Sequence, residues 1–248
     1  MRLQGKSAIV TGGASGFGAG IARKFVSEGA KVIIADINEE LAKSFAKELG
    51  PAAQAVSTDV SNASSVESLI QFACKANGSI DIVVNNAGVT HLPGPMEEIA
   101  ESEFDRIISV NAKSVFLMAK YVVPVFRSQS HGCILNIAST AGVSPRPGLS
   151  WYNASKGWMI TATRSMAVEL ASSAIRVNAI NPVAGETPLL KSFMGEDTPE
   201  TRARFLATIP IGRFSTPEDI ANAACYLCSD EASMVTGACL EVDGGRCI

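Results

Sequence analysis

Three residues between positions 139 and 156 could together move a proton to or from an oxygen. Tyr152 and Lys156 stand four apart, so a helix would place them on one face with Cβ atoms roughly 5–6 Å apart. A free tyrosine ionises near pH ~10 and is a poor base at neutral pH. A neighbouring ammonium favours the phenolate and lowers that value, so the tyrosine could give or take a proton near working pH. Ser139, upstream, could bond the same substrate oxygen. The set suits a carbonyl becoming an alcohol, or the reverse. A lone Tyr-x-x-x-Lys is common, so its weight rests on the elements that would hold it.

The apolar run Cys133 to Ala138 predicts a buried strand ending at Ser139. A turn-rich segment with Gly142, Pro145, Pro147 and Gly148 follows. The helix carrying Tyr152 then extends to about Ser173. At the N-terminal end, Ser7 to Val10 predicts a strand. It leads into Thr11-Gly12-Gly-Ala-Ser15-Gly16-Phe17-Gly18, a helical pattern through Phe25 and Val26, and a strand from Lys31 to Ala35 that ends at Asp36. A strand, glycine turn, helix and strand closed by an acid is the layout of a dinucleotide site. Gly12 permits the sharp turn, and Gly16 and Gly18 let backbone amides approach a pyrophosphate. Asp36 would accept a ribose 2′-hydroxyl and repel a 2′-phosphate. Its neighbours Ala14, Ser15 and Ile37 carry no positive charge, which predicts NAD rather than NADP. Asp36 could also cap the helix that Asn38 starts.

The third strand, Ala53 to Ser57, runs to Asp59-Val60. Asp59 could reach an adenine amino group or cap the helix beginning near Asn62. The fourth strand, Ile80 to Val84, ends in Asn85-Asn86-Ala87-Gly88, whose small and amide residues let a cofactor pass closely. Asn85 is expected to tie neighbouring strands together. Phe104 to Phe126 predicts one long amphipathic helix, with Asn111 satisfying a local backbone bond. Ile175 to Ile180 is a sixth strand. Asn181-Pro182 opens a region with Leu189, Leu190, Phe193 and Met194, expected to form a lid over about 186–210. Thr216-Pro-Glu-Asp219 reads as a helix start. A last strand runs from Cys239 to Val242. Seven strands alternating with helices predict a single α/β domain over 1–248, a doubly wound parallel sheet with helices on both faces.

Composition narrows the partners. The chain is 47% hydrophobic with a net charge of −3 and scattered basic residues, so no nucleic-acid partner is expected. Met1 to Val10 is too short and polar for a secretory h-region. No apolar stretch approaches the ~18 residues of a membrane span. Six cysteines sit mostly in apolar runs, which fits reduced thiols in a cytoplasm. Cys225 and Cys228 have metal or redox spacing but no second pair, and His91 and His131 lack ligand partners, so no metal site is expected.

Taken jointly, Thr11-Gly12-x-x-x-Gly16-x-Gly18, Asn85-Asn86-Ala87-Gly88, Asn111, Ser139, Tyr152-x-x-x-Lys156 and Asn181-Pro182 resemble the short-chain dehydrogenase/reductase family over essentially the whole chain. The resemblance implies a Rossmann-type sheet of order 3-2-1-4-5-6-7, a homotetramer, and hydride transfer to or from a nicotinamide. It implies Tyr152 as acid/base and Lys156 as the group that lowers its pKa and holds the nicotinamide ribose. Ser139 would orient the substrate oxygen and Asn111 would support a water leading from Lys156 to bulk. Cofactor contacts are expected from Gly12, Ser15, Gly16, Phe17, Gly18, Asp36, Ile37, Asp59, Val60, Asn86, Ala87, Gly88, Pro182, Val183, Gly185 and Thr187, beside Tyr152 and Lys156. The chain departs from the family at Val183, where glycine is common; Gly185 is expected to restore flexibility there. The favoured reading is an NAD-linked catabolic dehydrogenase acting on a secondary alcohol or ketone, with Trp151, Val143, Leu149 and Met194 lining an apolar pocket for an aromatic or alicyclic substrate. Arg146 reads as an exposed loop residue that could meet an anionic group. The alternatives are a 3-oxoacyl-carrier-protein reductase and a non-catalytic NAD-binding sensor.

Overall fold

A computed structural model describes residues 1–248. Its elements follow in chain order as β1 (Ser7–Thr11), α1 (Gly16–Ser27), β2 (Lys31–Asp36), α2 (Glu39–Leu49), β3 (Ala53–Ser57), α3 (Ala63–Asn77), β4 (Ile82–Asn85), α4 (Glu101–Ile108), α5 (Ser114–Gln129), β5 (Gly132–Ile137), α6 (Ser150–Leu170), β6 (Ile175–Pro182), α7 (Leu190–Met194), α8 (Pro199–Leu206), α9 (Pro217–Cys228) and β7 (Cys239–Val242). The strands form one parallel sheet in the order β3-β2-β1-β4-β5-β6-β7. The chain runs outward from β1 in one direction, then returns to β4 and continues in the other. The crevice at the carboxyl ends of β1 and β4 is where ligands bind in such sheets.

Strand alternation gives the molecule two cores. Ala8, Val10, Val32 and Ile34 point to one face, where Ile21 and Phe25 of α1, Phe45 of α2 and Ile220 of α9 cover them. Ile9 and Ile33 point to the other, under Leu69 of α3, Leu117 and Phe126 of α5 and Leu170 of α6. Both faces being covered explains why the strands read as near-continuous apolar runs. A polar chain crosses the second face. Asn85 Nδ2 donates to Asn136 Oδ1 at 2.8 Å, and Asn136 Nδ2 donates to Thr163 Oγ1 at 2.9 Å. Asn85 thus does tie two strands together, and the chain of bonds locks α6 onto β5.

Three boundaries differ from the sequence reading. β4 begins at Ile82, not Ile80, because both backbone groups of Ile80 are bonded by the Gln129 side-chain amide instead of a neighbouring strand. The long helix extends over Glu101–Gln129 and is interrupted by a π-helical turn at Ser109–Lys113. Its most apolar eighteen-residue window has a mean hydropathy of 1.2, so the segment is apolar enough to pass a membrane-span test that the sequence reading expected none to pass. The reason is its position: α5 packs on one face of the sheet beside α3, so its apolar side chains are covered by both. Finally, the region after β6 contains two short helices, α7 and α8, the second capped by Thr198 with Pro199 in its first turn.

Candidate active site

A cleft of about 470 Å³ runs along the carboxyl ends of the strands. Its lining includes Gly12 after β1, Asp36 at the end of β2, Asp59 after β3, Asn86 after β4, Ser139 after β5 and Pro182 at the end of β6. Of the residues expected to contact a cofactor or substrate oxygen, Ser15, Gly16, Phe17, Ile37, Val60, Ala87, Gly88, Tyr152, Lys156, Val183, Gly185 and Thr187 also line it. Gly18 does not, which corrects the sequence reading; Asn111, expected only to support a water behind Lys156, also lies outside the lining. Gly18 is buried under the turn, where a Cβ would stand 2.1 Å from the Gly12 carbonyl oxygen and 2.5 Å from Asn86 Nδ2. It is needed for close packing and not for ligand approach.

At the β1–β2 end the site is made mostly of backbone. Asn86 Nδ2 donates to the carbonyls of Thr11 and Gly12, and the Asn86 and Ala87 amides donate to Thr11 Oγ1. These bonds fix the glycine turn in place. The turn opens α1, whose N-cap residue Ser15 makes no side-chain capping bond, and no acidic residue occupies the first turn. The uncapped amides keep their donors and the positive end of the helix dipole. That donor set fits a pyrophosphate. Asp36 accepts from the Ala14 amide at 3.1 Å and the Asn38 amide at 3.0 Å. It therefore does not cap α2; Asn38 does, accepting from Leu41. Each carboxylate oxygen retains a free lone pair for a ribose hydroxyl. Asp59 likewise leaves the capping of α3 to Asn62 and instead accepts from Ser61. The basic residues lining the cleft are Lys156 and Arg146, and neither belongs to the β1–β3 elements, so nothing there would compensate a 2′-phosphate.

The middle of the cleft holds the proton-transfer set. Tyr152 and Lys156 lie on one face of α6, both buried. Lys156 Nζ donates to the carbonyl of Ile137 at the end of β5 and lies 5.9 Å from the Tyr152 ring centre. One of its three donors is thus spent on positioning, and two remain. Ser139 Oγ accepts from the Ala141 amide, starting a short 3₁₀ turn, which leaves its hydroxyl hydrogen to donate elsewhere. Burial pushes the Tyr152 phenol up to about 12, opposed by a bond from Ser139. Burial also pulls the Lys156 ammonium down to about 8. The sequence reading expected the lysine to lower the tyrosine; burial instead raises it, and the opposing pull comes from Ser139. Each charged form is disfavoured alone, so the phenolate is accessible chiefly as a pair with the ammonium.

Asn111 sits in the π turn, fully buried. Its bonds are not local, contrary to expectation. Oδ1 accepts from the Val89 amide, and Nδ2 donates to the Val89 carbonyl and to Ser155 Oγ. It staples the loop after β4 to α6 one residue from Lys156. A Cβ built on Gly88 would lie 3.5 Å from both Asn111 Oδ1 and Lys156 Nζ, so these three residues converge.

The far end is walled by side chains of the 140–149 loop and the segment after β6. Leu149 and Ala141 pack with Tyr152, and Phe193 of α7 meets the Tyr152 ring edge-on at 5.0 Å. Of the four residues expected to form the pocket, Leu149 alone lines it. Trp151 turns outward, donates to the Met96 carbonyl and stacks edge-on against Phe104. Val143 is exposed, and Met194 is buried in a separate apolar cluster with Val183, Leu190, Ile209 and Phe214. Phe193, Phe205 and Leu189 line the cleft instead; the sequence offered no periodicity in these short helices that would separate them from Met194. Val183 is not at positive φ, so its backbone does not require glycine, and its side chain packs in that same cluster after β6. Gly185 supplies room, not flexibility: a Cβ there would meet Phe17 at 2.3 Å. Arg146 also lines the cleft, half-buried, contrary to the exposed loop reading.

A doubly wound sheet with an uncapped helix start, a carboxylate at the end of β2, and a serine beside a buried tyrosine and lysine defines a nucleotide-dependent oxidoreductase. Comparison with known proteins places it further. A family model described as Enoyl-(Acyl carrier protein) reductase matches residues 12–246, and the chain belongs to the short-chain dehydrogenase/reductase family. It is 50% identical to 4-formylbenzenesulfonate dehydrogenase of Comamonas testosteroni, over 99% of each chain. It is 38% identical to 2,5-dichloro-2,5-cyclohexadiene-1,4-diol dehydrogenase of Sphingobium indicum, over 98% of this chain and 97% of the relative. The crystal structure of 3-ketoacyl-(acyl-carrier-protein) reductase from Brucella melitensis complexed with NADH superposes with a TM-score of 0.95 at 47% identity, over 99% of this chain and 100% of that one.

Proposed function

We propose that this oxidoreductase is an NAD-dependent dehydrogenase interconverting an alcohol and a carbonyl compound with an aromatic or alicyclic body. The observation that carries it is the convergence of Ser139, Tyr152 and Lys156 in a cleft whose other end carries Asp36 and no cation. The solved neighbour bound to NADH and the aromatic and alicyclic substrates in the relatives' names support it.

The cofactor, when bound, supplies the hydride acceptor in oxidation and the donor in reduction. Asp36 accepts the adenosine ribose hydroxyls, and the start of α1 meets the pyrophosphate. Lys156 uses its free donors on the nicotinamide ribose and holds Tyr152 as phenolate when an alcohol proton is to be removed. In the reverse direction the phenol gives that proton to the carbonyl oxygen while Ser139 donates to the same atom. Asn111 is a positioning residue, and the convergence of Gly88, Asn111 and Lys156 supports a proton route to bulk. The segment over 186–210 acts as a lid that excludes water from the transfer. Exposed apolar side chains on α5 and α6, namely Phe116, Trp158 and Val168, support a homotetramer, which light scattering checks. Six free cysteines suit a cytoplasmic setting.

A second reading, a 3-oxoacyl-carrier-protein reductase, is favoured by the structural neighbour's name; because that neighbour carries NADH, cofactor choice does not separate the two. Near-ultraviolet absorbance with NAD and NADP against aromatic, alicyclic, aliphatic and 3-hydroxyacyl alcohols does. NAD-dependent oxidation of an aromatic or alicyclic alcohol is expected. Turnover of the 3-hydroxyacyl compound alone would support the second reading. Tight NADH binding with no turnover across the panel would point to a sensor.

A further inference from the structure

The substrate end of the cleft is lined by one arginine, Arg146, and no acid, and a second arginine, Arg246, lies close behind it. Arg146 lies in its wall, and its guanidinium stacks 4.4 Å above the Phe205 ring of α8. Its Nη2 donates to Thr208 Oγ1 at 3.0 Å. Its backbone is tied to the catalytic helix, since Asn153, next to Tyr152, donates to the Arg146 carbonyl at 2.8 Å. Arg246 comes from the C-terminal segment and donates from Nη1 to Ser144 Oγ at 2.9 Å. Its Nε is buried with no partner. No carboxylate forms an ion pair with either arginine, although Arg2, Arg23, Arg106, Arg202 and Arg213 each have one.

This arrangement is unusual for guanidinium groups. Burial and the charge of Arg246 both disfavour the charged form of Arg146, yet an arginine does not deprotonate in a protein. Two like charges held near each other, part-desolvated, with donors unspent, cost free energy until an anion arrives. The planar fork of a guanidinium fits two oxygens of a carboxylate or sulfonate. Phe205 stacks one face of Arg146 and so pre-orients that fork. Leu149, Ala141 and Phe193, which pack against Tyr152, line the same cleft as Arg146.

We infer that Arg146, backed by Arg246, is the specificity residue of this site and selects substrates carrying a carboxylate or sulfonate on the apolar body. This rests on the reading of the cleft as the substrate site of a dehydrogenase, but it makes a claim that reading does not contain. The anion would belong to the substrate and not to the cofactor, whose phosphates the uncapped start of α1 would hold.

The test measures binding, so it needs no turnover. Isothermal titration calorimetry of the full chain, with and without NADH, compares benzenesulfonate and benzoate with neutral benzenesulfonamide. Both anions should bind tighter than the sulfonamide by about tenfold or more, the range of a charge-assisted bidentate contact. In Arg146→Met the ratio should fall to within about twofold of unity. Arg146→Gln keeps a donor for Thr208 while removing the charge, and should show the same loss if the methionine variant does not fold. Arg246→Met should lower the ratio by a smaller factor. Preference for sulfonate over carboxylate, or the reverse, names the group. Equal affinity for anions and sulfonamide, no measurable binding of either anion, or an anion preference that survives both Arg146 variants would overturn the inference. So would an Arg146→Gln protein that weakens NADH as much as it weakens the anions. Alcohol oxidation without anion preference sinks this inference alone; anion preference without any oxidation sinks the dehydrogenase reading instead.

Discussion

The two ends of the cleft are built from different material. At the Asp36 end, the ligand surface is backbone: a glycine turn, the bare start of α1 and strand ends, clamped by Asn86 and Thr11. At the Arg146 end it is side chain: Leu149, Phe193, Phe205 and a stacked guanidinium, carried by a loop and two short helices. The first end can change little without breaking the fold, because its shape is the shape of the chain. The second can be rewritten one residue at a time. A protein made this way holds one cofactor constant while its substrate drifts. The two ends also differ in charge, with a carboxylate at one and a guanidinium at the other.

The largest test of that division falls on the junction. Tyr152→Phe should lower kcat by about a thousandfold or more, while NADH affinity stays within a few-fold, measured by fluorescence titration. Retained turnover would show that the proton leaves by another group, and the two ends would no longer meet at Tyr152.

Lys156→Met should abolish turnover as well, but it should raise the melting temperature. A lysine whose folded pKa is about 8 against 10.5 unfolded opposes folding while it is charged. The penalty is full below about pH 8 and is relieved as pH rises toward the unfolded value, since there the unfolded chain binds more protons. At 1.36 kcal/mol per pH unit the gain on removal is roughly 3 kcal/mol at most. Differential scanning calorimetry from pH 6 to 10.5 should show the variant's advantage shrink at the alkaline end. A variant no more stable than the wild type at neutral pH would mean the Ile137 bond compensates the burial.

Asp36→Ala addresses the conserving end. The ratio of kcat/KM for NAD over NADP should fall by about ten- to a hundredfold, from loss of a charged hydrogen bond and of repulsion. An unchanged ratio would reduce Asp36 to a brace for the Ala14 and Asn38 amides.

Phe193→Ala addresses the other end and should have the smallest effect. KM for an aromatic alcohol should rise by about three- to tenfold with kcat little altered, from lost apolar contact. A large fall in kcat instead would mean that the edge-on contact with Tyr152 sets the phenol's position.

Those contrasting ends also explain what could be read beforehand. The strands and the residues at their ends were legible because a sheet covered on both faces leaves near-continuous apolar runs with a chemical residue at each terminus; the strand order followed from the family resemblance. Ser139, Tyr152 and Lys156 were legible because their spacing matches one strand end and one helix face. The apolar wall was not. Phe193 and Met194 are adjacent and equally hydrophobic, and which one faces the cleft depends on how a five-residue helix seats on Val183 and Phe214. Arg146 was misread as exposed because its cover comes from Phe205, Thr208 and Arg246, far away in sequence. Asn111 was given a local bond because a π turn leaves no mark in a pattern of apolar residues.

That π turn has a geometric consequence. An α-helix advances about 100° per residue, 3.6 residues to the turn, so one residue of insertion shifts the phase of everything before it by that angle. Glu101–Ile108 and Ser114–Gln129 are therefore two helices of different phase sharing one axis. The upstream half directs Phe104 toward Trp151, and the downstream half lays Leu117 and Phe126 on the sheet. Removing a single residue from 109–113 would bring the halves into one phase. It would force either Phe104 or Phe126 off its partner, and move Asn111 out of register with Val89 and Ser155. The slip in winding is what lets a single rod serve two surfaces that do not lie in line.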